Sequence, residues 1–127
     1  HTSDVYRIAF SPDQKHLASV SQDGSVLVWD LNTGKATEVY AGSKKNPMYA
    51  GAFDPQGETL GAVGDDGRLR FWREKDWKLE SEDRISKLPL YAIAFSPSGS
   101  LAVTAGEDGK VYLIDRRSSA DTLDRHP

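Results

Sequence analysis

The chain writes one phrase three times, and the spacing of the copies limits what it can fold into more than any other feature. Phe10, Phe53 and Phe95 open "FSPD", "FDPQ" and "FSPS" at separations of 43 and 42 residues. Asp23-Gly24, Asp66-Gly67 and Asp108-Gly109 keep those separations, and so do Trp29, Trp72 and Ile114. A period of this length marks a supersecondary unit that cannot bury its apolar faces alone and must stack on its neighbours. Within a copy the pattern is strand-like: "VYRIAF" or "LYAIAF", a Pro-containing turn, a run such as "LASVS", Asp-Gly, then "SVLVWD". Val26 and Val28 share a face, as do Leu69 with Phe71 and Val111 with Leu113, which is the period of a strand with one face buried. Asp-Gly between such runs predicts a tight primed hairpin turn, because glycine takes positive φ without steric cost. "TEVY" and "KLES" supply a fourth strand in the first two copies, and the polar tail from Arg116 to Pro127 is expected to hold that of the third. No segment has a helical period.

These features resemble the WD-repeat family, whose repeats of about 40 to 45 residues each form a four-stranded propeller blade. The resemblance covers nearly the whole chain and implies an all-β fold of three antiparallel blades, at about 1–42, 43–86 and 87–127. Closed propellers have about four to eight blades. Three are therefore expected to be part of a larger ring, seven-bladed by resemblance, or to complete one by self-association. His1 in place of an initial Met adds the expectation of a fragment or a processed chain. The family further implies a hydrogen-bonded tetrad of His, a strand hydroxyl, the turn Asp and Trp. In the first copy these match His1, Ser19 or Ser21, Asp23 and Trp29, and alternation puts both serines on one face. The second copy keeps Asp66 and Trp72 but has Ala62 and Gly64 where the hydroxyl belongs. The third keeps Thr104 and Asp108 but has Ile114 for Trp. One tetrad is thus expected to be complete, with the other two blades relying on apolar packing and turn chemistry.

Chemistry-bearing motifs are sparse. Sixteen basic against nineteen acidic residues, a net charge of −3, give no bulk attraction for nucleic acid. The one basic and aromatic run holds Arg68, Arg70, Arg73, Lys75 and Lys78 with Trp72 and Trp77. Alternation assigns Arg68 and Arg70 to the outward face, by resemblance Trp72 fills the family's core position, and Glu74 and Asp76 dilute the charge, so nucleic acid is disfavoured. The longest apolar stretch, Leu88 to Phe95, is far short of the about 20 residues of a membrane helix and contains a proline. The chain has no cysteine, which fits an intracellular, cytoplasmic protein. His1, His16 and His126 form no pair at metal-ligand spacing. Asp65-Asp66 and Glu107-Asp108 are explained by the turns, and Gly34-Lys35 and Gly109-Lys110 lack the rest of a phosphate loop. The expectation is no enzyme, no cofactor and no metal.

What remains is a candidate binding face. Tyr6, Tyr49 and Tyr91 stand four residues before each repeat's Phe, and Asp4, Pro47 and Pro89 stand six before it. Gln22, Asp65 and Glu107 precede the turn aspartates. By resemblance these positions lie at the start of the innermost strand and in the loop after the second, on the face where partners dock. Two readings stay open. Either the tyrosines ring the channel mouth and anchor an extended peptide or loop of basic character, with Asp65 and Glu107 steering charge. Or, since alternation puts Tyr6, Ile8 and Phe10 on one side, they only pack between blades. The function that follows is a non-catalytic scaffold or recognition module for a protein or peptide. The alternative is the sensing part of a larger enzyme or signalling chain whose catalytic domain lies outside the segment.

Overall fold

The computed structural model describes residues 1–116 and the strand path of 121–126. The described residues contain no helix. Twelve strands follow one another: β1 Val5–Phe10, β2 His16–Ser21, β3 Val26–Asp30, β4 Ala36–Tyr40, β5 Met48–Phe53, β6 Thr59–Gly64, β7 Arg68–Arg73, β8 Leu79–Arg84, β9 Leu90–Phe95, β10 Leu101–Gly106, β11 Val111–Asp115 and β12 Asp121–His126. Each copy closes into one four-stranded antiparallel sheet in sequence order, β1 to β4, β5 to β8 and β9 to β12. These are the blades. The innermost strands lie side by side, β1 against β5 and β5 against β9.

Stacking, more than pairing, makes the core. At the first seam Ala18, Val20, Val26 and Val28 meet Met48, Phe53, Leu60, Ala62 and Trp72. At the second, Ala50, Val63, Leu69 and Phe71 meet Leu90, Ala102, Tyr112 and Ile114. Each of the larger apolar side chains among them, Val, Leu, Ile, Met or Phe, contributes about 1.5–3 kcal/mol by burial. The middle blade is covered on both sides, so Leu69, Arg70, Phe71 and Trp72 are buried in succession. This corrects the expectation of one buried face, and it corrects Arg70 in particular, which is 3 % exposed rather than outward. Among the described residues, the flank of the first blade has no such cover. Phe10 is 62 % exposed, whereas its counterpart Phe53, under the first blade, is 9 % exposed.

The Asp-Gly connections differ from a primed hairpin. They run from 22 to 25, 65 to 67 and 107 to 110, and in each only the glycine has positive φ, at 84°, 72° and 76°. The aspartate is free to act as an Asx turn: Asp23, Asp66 and Asp108 accept the N–H groups of Ser25, Arg68 and Lys110, two residues on.

The expected tail also begins differently. Arg116 reaches back from the third blade to the second, where its guanidinium donates to Thr59 Oγ1 at 2.7 Å and Asp54 Oδ2 at 3.3 Å, while it also donates to Gly99 O of its own blade at 2.9 Å. Its Cζ lies 5.3 Å from the Phe71 ring centre and 5.1 Å from that of Phe95. Arg116 is therefore a seam residue, and the rest of the tail, apart from β12, lies outside the described residues.

Candidate functional site

The turn aspartates show which polar groups are structural. In the first blade Trp29 Nε1 donates to Ser19 Oγ at 3.0 Å, and Ser19 Oγ lies 2.6 Å from His1 Nε2. His1 Nδ1 lies 2.7 Å from Ser25 Oγ, and Ser25 donates to Asp23. Every donor finds an acceptor when His1 is neutral with its proton on Nδ1. The hydroxyl in contact with His1 and Trp29 is that of Ser19. Ser21 instead donates to the Asp4 carbonyl at 2.8 Å. Ser25, which nothing in the sequence singled out, is the link to Asp23. Burial pushes the Asp23 carboxyl up, but hydrogen bonds from the Ser25 hydroxyl and from the N–H groups of Thr2 and Ser25 overcome this and hold it well below the usual carboxylate range.

In the other two blades buried polar groups add to the apolar packing and turn chemistry. Asp66 accepts Arg70 Nη2 at 2.6 Å, and Arg70 Nε donates to Glu82 Oε2 at 2.6 Å. The Arg70 Cζ lies 4.7 Å over the Tyr40 ring of the first blade. Burial disfavours the Asp66 charge, but Arg70 and the Arg68 N–H more than offset it and lower its pKa. Trp72 turns its indole N–H to the Val39 carbonyl, at 3.1 Å, across the seam. Just before the third blade, Ser86, which stands where the first blade has His1, donates to Asp108 at 3.2 Å. Tyr112 donates a short bond to the same carboxylate, and this bond is the main cause of the lowered Asp108 pKa. Thr104 donates to the Ala92 carbonyl at 2.8 Å, a use of its hydroxyl within the sheet. Arg70 and Tyr112 occupy the position held by Leu27 in the first blade. The expected outer-face Arg70 is thus a buried counter-ion.

The nine candidate binding residues gather at one end of the blades. A backbone bond joins Gln22 N–H to Asp4, Asp65 N–H to Pro47 and Glu107 N–H to Pro89, at 2.9, 2.9 and 3.0 Å. Each tyrosine sits where the innermost strand breaks register: between Val5 and Arg7, between Met48 and Ala50, and between the Leu90 and Ala92 partners. Such a bulge inserts one unpaired residue and re-aims its side chain. Strict alternation by itself therefore no longer decides which side Tyr6 takes relative to Ile8 and Phe10. The three rings form a row, with centroids 5.6 Å apart from Tyr6 to Tyr49 and 5.1 Å from Tyr49 to Tyr91. They pack on one another across both seams, yet Tyr6 and Tyr91 remain 42 % and 43 % exposed.

The row is paired with acids. Tyr49 Oη donates to Asp65 Oδ1 at 3.0 Å, and Tyr91 Oη to Glu107 Oε1 at 3.2 Å. Burial, reinforced by Asp65, pushes the Tyr49 phenol up to about 12. Desolvation and Glu107 raise Tyr91 as well. Below the row a recess of about 210 Å³ opens between Arg7 of β1, Ala50 and Gly51 of β5, and Tyr91 and Ala92 of β9. Among the described residues no group of three His, Asp or Glu side chains is placed to hold a metal ion, and no helix is long and apolar enough to cross a membrane. His16 packs edge-on to Trp77 at 5.6 Å, and the His126 side chain lies outside the described residues.

Comparison with known proteins bears on the same stretches. The family described as "WD domain, G-beta repeat" matches residues 1–30 and 84–115. The chain is 33 % identical over 90 residues to Protein HIR1 of Cryptococcus neoformans var. neoformans, covering 68 % of this chain and 10 % of that protein. It is 37 % identical over 75 residues to the ribosome biogenesis protein YTM1 of Meyerozyma guilliermondii, which is 58 % of this chain and 16 % of that one. To the target of rapamycin complex subunit wat1 of Schizosaccharomyces pombe it is 40 % identical over 73 residues, 57 % of this chain and 22 % of that one. The chain spans under a quarter of each of these relatives.

Proposed function

The chain belongs to the WD-repeat family, and from that premise we propose that it is a non-catalytic interaction module whose protein or peptide partner docks on the end of the blades that carries the tyrosine row. The row itself carries this reading. Three equivalent bulges present three rings in mutual contact, two of them more than two fifths exposed. Tyrosine offers wide apolar contact and a polar tip at low entropic cost, and interface hot spots are rich in it. Asp4, Gln22, Pro47 and Pro89 flank the row and shape its rim. Two relatives support the reading by name, one as a complex subunit and one in ribosome biogenesis, and they support an intracellular place. Nucleic acid is a poor fit, since Arg70 is held by Asp66 and Glu82, and Arg73 by Asp76.

The blades, at about 1–42, 43–86 and 87–127, are assigned to a propeller of more than three. The exposed Ile8 and Phe10, at 60 % and 62 %, support this, because their counterparts on later blades face a neighbour.

The test uses the intact protein with Tyr49 and Tyr91 replaced by Ala and, separately, Asp65 and Glu107 by Lys. Partner capture and melting temperature are measured together. Capture is expected to fall in both variants. Lower melting temperatures with capture unchanged would assign the row to blade packing and leave the docking face elsewhere.

A further inference from the structure

We propose that the tyrosine row receives an extended segment with two basic side chains at alternate positions, arginine in preference to lysine. This rests on the reading of the row as the docking site and adds the chemistry of the occupant. Tyr49 and Tyr91 each spend their only O–H on a carboxylate, at 3.0 Å and 3.2 Å. What those pairs leave to offer a ligand is carboxylate oxygen, phenol lone pairs and ring faces. All three attract cations and repel anions. With Tyr49 pushed up to about 12 and Tyr91 also raised, the phenols keep their protons, and hence these bonds, at neutral pH.

Spacing sets the pattern of the occupant. Ring centroids recur at 5.6 Å and 5.1 Å along the row, and same-side residues of an extended chain recur about every 6.5–7 Å. Alternate residues therefore fall on successive blades. The recess below the row is lined by Arg7, which makes no ion pair among the described residues. A basic side chain is repelled from the recess and lies across the rings. Lys44, Lys45 and Lys87 stand four or five residues before Tyr49 and Tyr91, in the connections from the outer strands. The charges that touch the rings are the acids.

Arginine is favoured because a planar guanidinium lies on a ring and donates to a carboxylate at once, whereas an ammonium is a point charge. The protein already builds this arrangement inside itself. Arg70 lies 4.7 Å over Tyr40 while donating to Glu82 and Asp66.

The test measures fluorescence anisotropy of labelled peptides Gly-Ser-Arg-Ala-Arg-Ala-Gly, the same with Lys for Arg, and the same with Gln for Arg, on the intact protein. The arginine peptide is expected to bind saturably below about 1 mM. The lysine peptide should be weaker by roughly threefold and the glutamine peptide by roughly tenfold or more. Asp65→Asn with Glu107→Gln should bring the arginine peptide down to the glutamine level without lowering the melting temperature by more than a few degrees. Equal binding of the three peptides, no saturation by the arginine peptide, or an undiminished Asp65→Asn/Glu107→Gln variant overturns the proposal. If Tyr49→Ala/Tyr91→Ala also leaves partner capture intact, the docking reading falls with it. If capture is lost but the arginine peptide does not compete, only the basic occupant is wrong.

Discussion

Arg70 Nη2 lies 2.6 Å from Asp66 Oδ2, in a blade that has neither the histidine nor the strand hydroxyl of the first. The guanidinium is 3 % exposed and the carboxylate 20 %. Removing one partner of a buried pair strands the other. Asp66→Ala is expected to cost about 2–4 kcal/mol, toward the low side of a fully buried pair because the carboxylate is partly wetted. Adding Arg70→Leu, the residue type the first blade has as Leu27, should recover at least half of that loss. Chemical denaturation of the single and double variants decides it, and a double variant no better than the single one would show that Arg70 is not the stranded group.

Arg116 gives the second seam a polar fastening beside its apolar core. It bonds Thr59, Gly99 and Asp54 and lies against Phe71 and Phe95. Arg116→Ala should destabilise by about 1.5–3 kcal/mol, and Arg116→Lys should restore less than half, since an ammonium cannot stack and fork at once. Hydrogen exchange should quicken at β9 and β10 before β2 and β3. Uniform quickening along the chain would count against a seam-specific role.

The Tyr49 phenol is an alkaline marker for the row. Its folded pKa, about 12, lies above the unfolded value of about 10. A group raised on folding stabilises fully below its unfolded pKa, and the contribution is lost as pH climbs from there through the folded pKa. Stability should therefore decline between about pH 10 and 12, and Tyr49→Phe should flatten that decline. Unfolding midpoints across this range, read with phenolate absorbance, check it. Matching pH profiles for both proteins would refute the assignment.

Equivalent glycines should tolerate alanine unequally. A β-carbon on Gly67 would meet Ser86 O at 2.0 Å, whereas one on Gly109 would meet nothing within 4 Å. Gly109→Ala then bears only the left-handed backbone cost, about 1–2 kcal/mol. Gly67→Ala adds a backbone clash, and its melting temperature should fall several times further. Equal melts would mean that the connection from β8 to β9 yields easily.

Features encoded within a few residues were legible in the sequence. The period, the strand runs and the fourth strands "TEVY" and "KLES" all rest on local pattern, and the sheets β1 to β4 and β5 to β8 follow it. What was not legible arises between blades. Alternation assigns Arg70 outward, but its outward side is the seam with Tyr40. Arg116 reads as tail because Asp54 and Thr59 are about sixty residues away. The bulges at the tyrosines depend on pairing between two strands, with Gly64 and Gly106 opposite two of them, so a strict two-residue period read along one strand does not show them. Ser25 was missed for another reason: its copies are Arg68 and Lys110, and only its bond to Asp23 gives the hydroxyl a role.

The two seams are fastened by different chemistry, one by Arg70 and Trp72 reaching to Tyr40 and Val39, the other by Arg116 reaching to Asp54 and Thr59. The repeats are consequently not interchangeable bricks. Exchanging the order of the second and third would set Arg70 against a blade that offers it no Tyr40 and would carry Arg116 away from Phe71, Asp54 and Thr59. Shuffled or duplicated versions of this chain would keep every hairpin and still lose the fit between neighbours, so its order of repeats is as much a part of its specification as their sequence.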